Sequence, residues 1–193
     1  MLTTLDLIRH GTPEGGNRYR GHSIDDPLSA SGWQQMQDAV KGQHDWQQVI
    51  SSPMHRCLAF AESYANENTL PLSTDERLVE IGFGDWEGRT SAEILADDPD
   101  AIKNFYRDPV NNQPNGAESL RGFSRRVHAA ISDILQQHAG KNILVVAHAG
   151  VMRAAICSIT MSPLISMYRL SIGNAAIIRI RDDGIRPPTI MLK

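Results

Sequence analysis

The sequence predicts an α/β protein, a three-layer α/β/α sandwich with a mostly parallel sheet. Short apolar runs that suit buried strands alternate along the chain with segments in which apolar residues recur every three or four positions. Strands and helices that alternate in this way favour a parallel sheet with helices on both faces. The chain has 193 residues and no internal repeat or linker-like tract, so we expect a single domain over residues 1–193.

Four segments have the composition expected of strands. Residues 5–8, 47–51 and 143–147 are short apolar runs, the last with the sequence Ile-Leu-Val-Val-Ala, and each predicts a buried strand. Residues 175–180 predict a fourth strand, at the edge of the sheet.

Three segments have helical spacing. Ser29 is a suitable N-cap for a helix that carries Trp33, Met36 and Val40. Residues 54–66 predict a second helix. The third pattern, which predicts a helix with one face in the core, comprises Leu120, Phe123, Val127, Ile131 and Ile134.

Polar residues follow three of the predicted strands. Arg9, His10 and Gly11 come after the first strand, residues 52–56 follow the second, and residues 148–150, His-Ala-Gly, follow the strand at 143–147. In sheets of this type, ligands bind beyond the carboxyl ends of the parallel strands. The sequence therefore predicts a site where the two histidines at the strand ends can meet across one crevice.

The residue types at these strand ends suit a phosphate ester. Arg9 and Arg56 can clamp a phosphoryl group, because a guanidinium fork matches the oxygens of phosphate. His10, at a sharp strand exit, is a candidate nucleophile, and transfer to a histidine also needs an acid for the leaving group. The carboxylates available for that role are those of Glu80, Asp85 and Glu87.

Composition excludes several other classes of function. The 19 Lys and Arg against 22 Asp and Glu give a net charge of −3, without the dense basic cluster that would follow a nucleic-acid backbone. Cys57 and Cys157 stand far apart, so we expect reduced thiols, and His22 and His55 lack the spacing of metal ligands, so we expect them to be solvated. The chain shows neither a signal-peptide pattern nor a run of about 18 apolar residues, and we expect a cytoplasmic protein.

Three motifs resemble those of the histidine phosphatase superfamily, which includes the cofactor-dependent phosphoglycerate mutases. Residues 7–12, Leu-Ile-Arg-His-Gly-Thr, resemble its nucleophile motif, residues 51–57 its second arginine motif, and residues 146–150 its second histidine motif. The resemblance spans nearly the whole chain, and the order and spacing of the motifs make it highly specific. It implies a phosphoglycerate mutase-like fold and a phosphoric monoester hydrolase.

The resemblance also implies roles for individual residues. His10 would become phosphorylated, while Arg9, Arg56 and His148 surround the phosphoryl group and make a metal or other cofactor unnecessary. Glu80, which precedes a Gly-Asp-Trp-Glu-Gly sequence, corresponds to the carboxylate that acts first as acid and then as base. The residues expected to bind phosphate are Arg9, His10, Arg56, His148 and Ala149, and those expected to bind substrate are Asn17, Arg20 and Gly21.

Within the superfamily, residues 18–21, 25–29 and 32–33 resemble the α-ribazole phosphatases, which act late in assembly of the cobalamin nucleotide loop. The mutases carry an insertion over the active site that this chain is too short to include, so water should reach a phosphohistidine and hydrolysis is favoured over transfer. We therefore expect a small phosphorylated substrate, α-ribazole 5′-phosphate, and a monomer or homodimer without nucleic-acid or membrane partners. The alternatives are a phosphoglycerate mutase, a phosphatase of another small phosphate ester, and a module that binds a phosphorylated ligand without turning it over.

Two regions have roles that the sequence leaves open. Tyr19, Arg20 and Trp86 either line the mouth of the site or pack around the first helix. Residues 97–115, rich in Asp, Asn and Pro, form either a lid over the site or a surface excursion. We expect the choice of substrate to depend on the second region.

Overall fold

The computed structural model describes residues 1–43 and 45–191, which contain six strands and six helices. The strands are β1 (Thr3–Arg9), β2 (Gln48–Ser51), β3 (Leu72–Thr74), β4 (Asn142–Ala147), β5 (Ile177–Asp182) and β6 (Thr189–Met191). The helices are α1 (Ala30–Val40), α2 (His55–Asn68), α3 (Ser91–Asp97), α4 (Ala101–Arg107), α5 (Leu120–Gln137) and α6 (Ala149–Ile159). Short 3₁₀ turns lie at Glu76–Leu78, Gly84–Trp86 and Leu164–Arg169.

The strands form one sheet in the order β3-β2-β4-β1-β5-β6. The first four strands in this order are parallel, and Arg9 of β1 pairs with Ala147 of β4, so the carboxyl ends of these two strands lie side by side. The prediction of a mostly parallel α/β sheet is confirmed. The prediction of an edge strand at 175–180 is wrong in its position, because β6 pairs with the outer side of β5, with Ile190 beside Ile180.

Side chains from the central strands enter two cores, one on each face of the sheet. Leu5, Leu7 and Val145 pack with α5 and α6, whereas Ile8 and Val146 pack with α1 and α2. Neighbouring residues of a strand point to opposite faces, so a strand covered by helices on both sides is apolar throughout. This arrangement confirms the three-layer sandwich and explains the continuous apolar run of β4.

The predicted helices form, with small shifts at their ends. The Ser29 hydroxyl accepts a hydrogen bond from the Gly32 amide and caps α1, which buries Met36 and Val40. Helix α2 begins at His55. Helix α5 buries its predicted face, formed by Leu120, Phe123, Val127, Ile131 and Ile134.

Residues 97–115 contain α4, whose one fully buried side chain, Phe105, packs onto the protein. Phe105 is buried, with its ring 5.3 Å from the ring of Trp86 and 4.6 Å from that of Tyr168. The segment is therefore anchored by a small third core beside the carboxyl end of the sheet. Among the described helices, none combines the length and the apolar character needed to cross a membrane.

Candidate active site

A cavity of about 450 Å³ opens beyond the carboxyl ends of β1 and β4. Eight of the nine residues predicted for the site line it, namely Arg9, His10, Asn17, Arg20, Gly21, Arg56, Glu80 and Ala149. The ninth, His148, is fully buried and lies behind His10. The structure thus brings together residues that are up to about 140 positions apart in the sequence because the two parallel strands place them at one edge.

The ring of His10 is held in one orientation by the backbone that directly follows β1. Its Nδ1 lies 2.8 Å from the Gly11 carbonyl oxygen, which can only accept, so Nδ1 carries the proton and Nε2 has a free lone pair. Burial, with the nearby charges of Arg56 and Arg9, lowers the pKa of His10 from 6.5 to about 3. At neutral pH the imidazole is therefore neutral and nucleophilic at Nε2.

His148 supports the first histidine from behind. The two ring centroids are 5.3 Å apart in an edge-to-face arrangement, and Nε2 of His148 lies 2.8 Å from the Ser52 hydroxyl. Complete burial and the charge of Arg56 hold the pKa of His148 well below its usual value. Ser52 was not predicted as a site residue, although it lies directly after β2, at the carboxyl edge of the sheet where such a contact is expected.

The two arginines keep hydrogen-bond donors free for an anion. Arg9 donates from Nη1 to the Ile172 carbonyl at 2.7 Å, and its Nε is buried without an acceptor among the described residues. Arg56 is 1% exposed and donates to the Ile24 and Gly21 carbonyls and, at 3.3 Å, to the carboxylate of Asp25. Its Nε likewise has no acceptor in the described part of the chain. Buried donors of this kind are costly unless a ligand satisfies them, so the pair favours a bound oxyanion.

Glu80 is the carboxylate that faces this cavity. Its Oε1 accepts from the Ile81 amide at 3.0 Å, and its Oε2 accepts from the Gly150 amide at 3.1 Å, near the start of α6. The other two candidates lie elsewhere. Glu87 accepts from the Phe83 amide at 2.7 Å and from the Ser23 amide at 2.9 Å, and Asp85 lines a separate cavity.

Residues 13–26 form a loop over one side of the cavity, and internal bonds brace it. Arg20 donates to Asp26 at 2.8 Å and to backbone carbonyls of the loop, so its donors serve the loop itself. Gly21 accepts from Arg56 and adopts φ +57°, where a Cβ would meet the carboxylate of Glu87 at 1.9 Å. Glu87 therefore helps to hold the loop that orients Arg56. Binding of substrate by Asn17, Arg20 and Gly21 stays a prediction.

The structure also places residues at the cavity that sequence analysis missed. Arg153, Tyr106, Tyr168 and Asn174 all line it. A signal for Arg153 was present, because it is a charged residue within the otherwise apolar start of α6. Tyr19 and Arg20 line the cavity, whereas Trp86 is buried beside Tyr19 and Phe105.

His22, His55 and the two cysteines do not line this cavity. His22 and His55 are exposed, as predicted. Across residues 1–43 and 45–191, no three His, Cys, Asp or Glu side chains are grouped as they would be around a metal ion. Cys57 and Cys157 are free and buried, and burial raises the pKa of the Cys57 thiol, which lies 3.6 Å from Nε2 of His148.

Comparison with known proteins agrees with this geometry. Residues 5–189 match the histidine phosphatase superfamily (branch 1). The chain is 29% identical to the adenosylcobalamin/alpha-ribazole phosphatase of Escherichia coli (strain K12), over 87% of this chain and 84% of that protein. It is 26% identical to phosphoserine phosphatase 1 of Hydrogenobacter thermophilus, over 91% and 84% of the two chains.

Among solved structures, the mycobacterial glucosyl-3-phosphoglycerate phosphatase in complex with VO3 is similar. It superposes with a TM-score of 0.87 and 26% sequence identity, over 98% of this chain and 97% of that one. These relatives are phosphatases of one superfamily that differ in their named substrates. The chain belongs to branch 1 of the histidine phosphatase superfamily and is a phosphoric monoester hydrolase.

Proposed function

We propose that the protein hydrolyses small phosphate monoesters through a phosphohistidine at His10. One observation carries this proposal: the neutral His10 ring presents a free Nε2 lone pair beside two arginines whose buried Nε donors have no partner in the described residues. Such an arrangement supplies both a nucleophile and the charge that stabilises a phosphoryl group in transfer.

The reaction takes place in two displacements. In the first, Nε2 of His10 attacks phosphorus, the P–N bond forms, and the bond from phosphorus to the leaving oxygen breaks while Glu80 donates its proton to that oxygen. In the second, the Glu80 carboxylate removes a proton from water, whose oxygen attacks phosphorus and breaks the P–N bond. Inorganic phosphate leaves, and His10 and protonated Glu80 are restored.

The surrounding residues stabilise the transferring group. Arg9 and Arg56 donate to its non-bridging oxygens, which is the task that metal ions perform in other phosphatases. Ala149, the first residue of α6, adds a backbone N–H at a helix N-terminus. The cavity reaches the surface at the exposed residues Gly16 and Asn17, so water has access to the phosphohistidine and hydrolysis is favoured over transfer to a second alcohol.

Three substrates are candidates from the relatives. α-Ribazole 5′-phosphate, and with it a place in cobalamin nucleotide-loop assembly, is supported by the E. coli relative. Phosphoserine and glucosyl-3-phosphoglycerate are supported to a similar degree by the other two. A phosphoglycerate mutase and a binding module are less favoured, because the cavity is open and Glu80 and His10 are both in place.

The test is phosphate release in the presence of a chelator, measured on p-nitrophenyl phosphate and on the three candidate esters. We expect wild-type activity to resist the chelator, His10→Ala to lose it, and His128→Ala, at an exposed histidine on α5, to keep it. Near-normal hydrolysis by His10→Ala would show that another group is the nucleophile. Tight binding of the esters without release of phosphate would instead identify a binding module.

A further inference from the structure

Arg153 is a cation in the cavity that forms no ion pair with an acidic side chain of the described residues. It lies on α6 and lines the same cavity as Arg9 and His10. Its Nε donates to the Leu170 carbonyl at 3.0 Å, and its guanidinium lies over the ring of Tyr168, 5.4 Å from the centroid. Within the described ranges, its two terminal nitrogens have no hydrogen-bond acceptor and no carboxylate forms an ion pair with it.

The other arginines that line the cavity already have partners or a role. Two are bonded to an acidic side chain of the neighbouring loop, and two hold the phosphoryl group in the proposed reaction. The first two are Arg18 and Arg20, both bonded to Asp26. The second two are Arg9 and Arg56, of which Arg56 is also paired with Asp25 at 3.3 Å. Arg153 is therefore positive charge in excess of what the phosphate requires.

Tyr168 adds a second donor to the same wall. Its hydroxyl is buried and has no hydrogen-bond partner among the residues described. Burial, reinforced by the negative charge of Glu80, raises the pKa of Tyr168, so the hydroxyl stays protonated and can donate. A buried donor without a partner is rare, and here it lies beside a guanidinium with free N–H groups.

The geometry points to a second anion subsite, formed by Arg153 and Tyr168, that receives a carboxylate of the substrate whose phosphate lies at Arg9 and His10. A carboxylate fits better than a second phosphate, because it brings a single negative charge to the one guanidinium while the carboxyl group of Glu80 lines the same cavity. The ring of Tyr106, 5.8 Å from that of Tyr168, adds an aromatic neighbour. The substrate class is a phosphate monoester of a small hydroxy acid or hydroxy amino acid. α-Ribazole 5′-phosphate, which has no carboxylate, would leave the subsite unused.

This inference rests on the proposed function for the position of the phosphate, and a matched pair of substrates tests it separately. L-Phosphoserine and phosphoethanolamine differ by one carboxylate only. We expect wild type to have a kcat/KM about tenfold or more higher for L-phosphoserine, and Arg153→Met to reduce that ratio by about 10- to 100-fold, as for loss of a charged hydrogen bond. Arg153→Lys, which keeps the charge without the fork, should give an intermediate ratio.

The control is Arg169→Met, at an exposed arginine close in sequence to Tyr168, which should keep the wild-type ratio. Equal losses on both substrates in the two Arg153 variants would identify a structural role and overturn the inference. So would a wild-type enzyme that hydrolyses p-nitrophenyl phosphate but does not distinguish the pair. Failure of the proposed function would look different, because His10→Ala would then keep its activity on p-nitrophenyl phosphate.

Discussion

Two backbone amides, rather than a basic side chain, hold the carboxylate of Glu80 in the cavity. The amide of Gly150 can approach it because residue 150 has no side chain, and a Cβ there would lie 2.2 Å from Oε1 of Glu80. A contact that short cannot be accommodated unless the carboxylate moves. Glycine is thus required at position 150 because of the Glu80 carboxylate, and not because of its own backbone conformation, which is helical.

We predict that Gly150→Ala lowers kcat by roughly 10- to 100-fold while the protein stays folded, because a displacement of about 1 Å at a reacting group has effects of this size. Alanine is a better helix former than glycine, so the helix itself should not be weakened. Steady-state kinetics with p-nitrophenyl phosphate and the thermal midpoint measure the two effects. Gly173→Ala is the control, since a Cβ at Gly173 meets no atom within 4 Å. An unchanged kcat in Gly150→Ala would argue against a role for Glu80.

At the scale of elements, helix α5 fixes the segment that carries Glu80. Arg126 on α5 donates from Nη1 to the carbonyls of Arg77 and Val79, both at 2.7 Å, and from Nη2 to that of Glu80 at 3.3 Å. The same guanidinium is bonded to Glu118 at 2.7 Å. One side chain therefore joins a core helix to an irregular stretch that has few other backbone bonds of its own.

We predict that Arg126→Met lowers both stability and turnover. Loss of donors to partly buried carbonyls should cost about 1–3 kcal/mol of unfolding free energy, measured by urea denaturation. Displacement of Glu80 should lower kcat by about tenfold or more. Arg125→Met removes the same charge at an exposed position of the same helix and should stay within about 0.5 kcal/mol of wild type. Equal effects of the two substitutions would mean that charge, not the bonds to the segment, matters.

At the scale of the whole molecule, the site makes stability depend on pH. His10 and His148 are buried and neutral, whereas in the unfolded chain each binds a proton near its usual pKa of 6.5. As the pH falls from 6.5 towards 3, the unfolded chain takes up protons that the folded site refuses, so stability decreases in this window. Above pH 6.5 neither state is protonated at these histidines, and they add no further pH dependence.

The prediction is that His10→Gln loses less stability on acidification than wild type. The difference in slope should approach about 1.4 kcal/mol per pH unit for one histidine between pH 6 and pH 4. Urea unfolding at several pH values in phosphate-free buffer measures it, since a bound anion would change the protonation of the site. His55→Gln, at an exposed histidine, should follow the wild-type curve. Parallel stability curves for wild type and His10→Gln would show that the pKa of His10 in the folded protein is close to its usual value of 6.5.

Strands and helices that have a clear apolar pattern were predicted from the sequence. Pairings between residues far apart in the sequence were not. The runs at β1, β2 and β4 are apolar on both faces, so their strands were predictable. Strand β6 follows two prolines and has only three residues, which is too few to show an alternating pattern. Its pairing with the outer side of β5 was therefore missed. The ion pair between buried Asp6 of β1 and Arg179 of β5, at 2.7 Å, was missed because it joins residues far apart in sequence.

The central residues of the candidate site were predicted from the sequence, mainly as side chains at strand ends. The residues that form its other walls were not predicted. Arg9, His10 and Arg56 were named because chemistry restricts the residue types that can serve there. Glu80 was chosen among three nearby carboxylates through the resemblance to the histidine phosphatases. The positions of Arg153 and Tyr168 depend on how α6 and the turn at Leu164–Arg169 pack, which no local pattern reveals. Residues that are defined by packing against a cavity are therefore the ones that sequence alone leaves out.

Because β1 lies next to β4 in the sheet, the site can form only late in the synthesis of the chain. Strand β1 is synthesised before the other five strands, yet its two neighbours in the sheet, β4 and β5, are more than 130 residues away in sequence. Until β4 has been made, β1 has both edges unpaired, and His10 has no His148 behind it. A nascent chain that stops before residue 142 therefore has an apolar strand with both edges open to pairing, which is the kind of surface that favours aggregation.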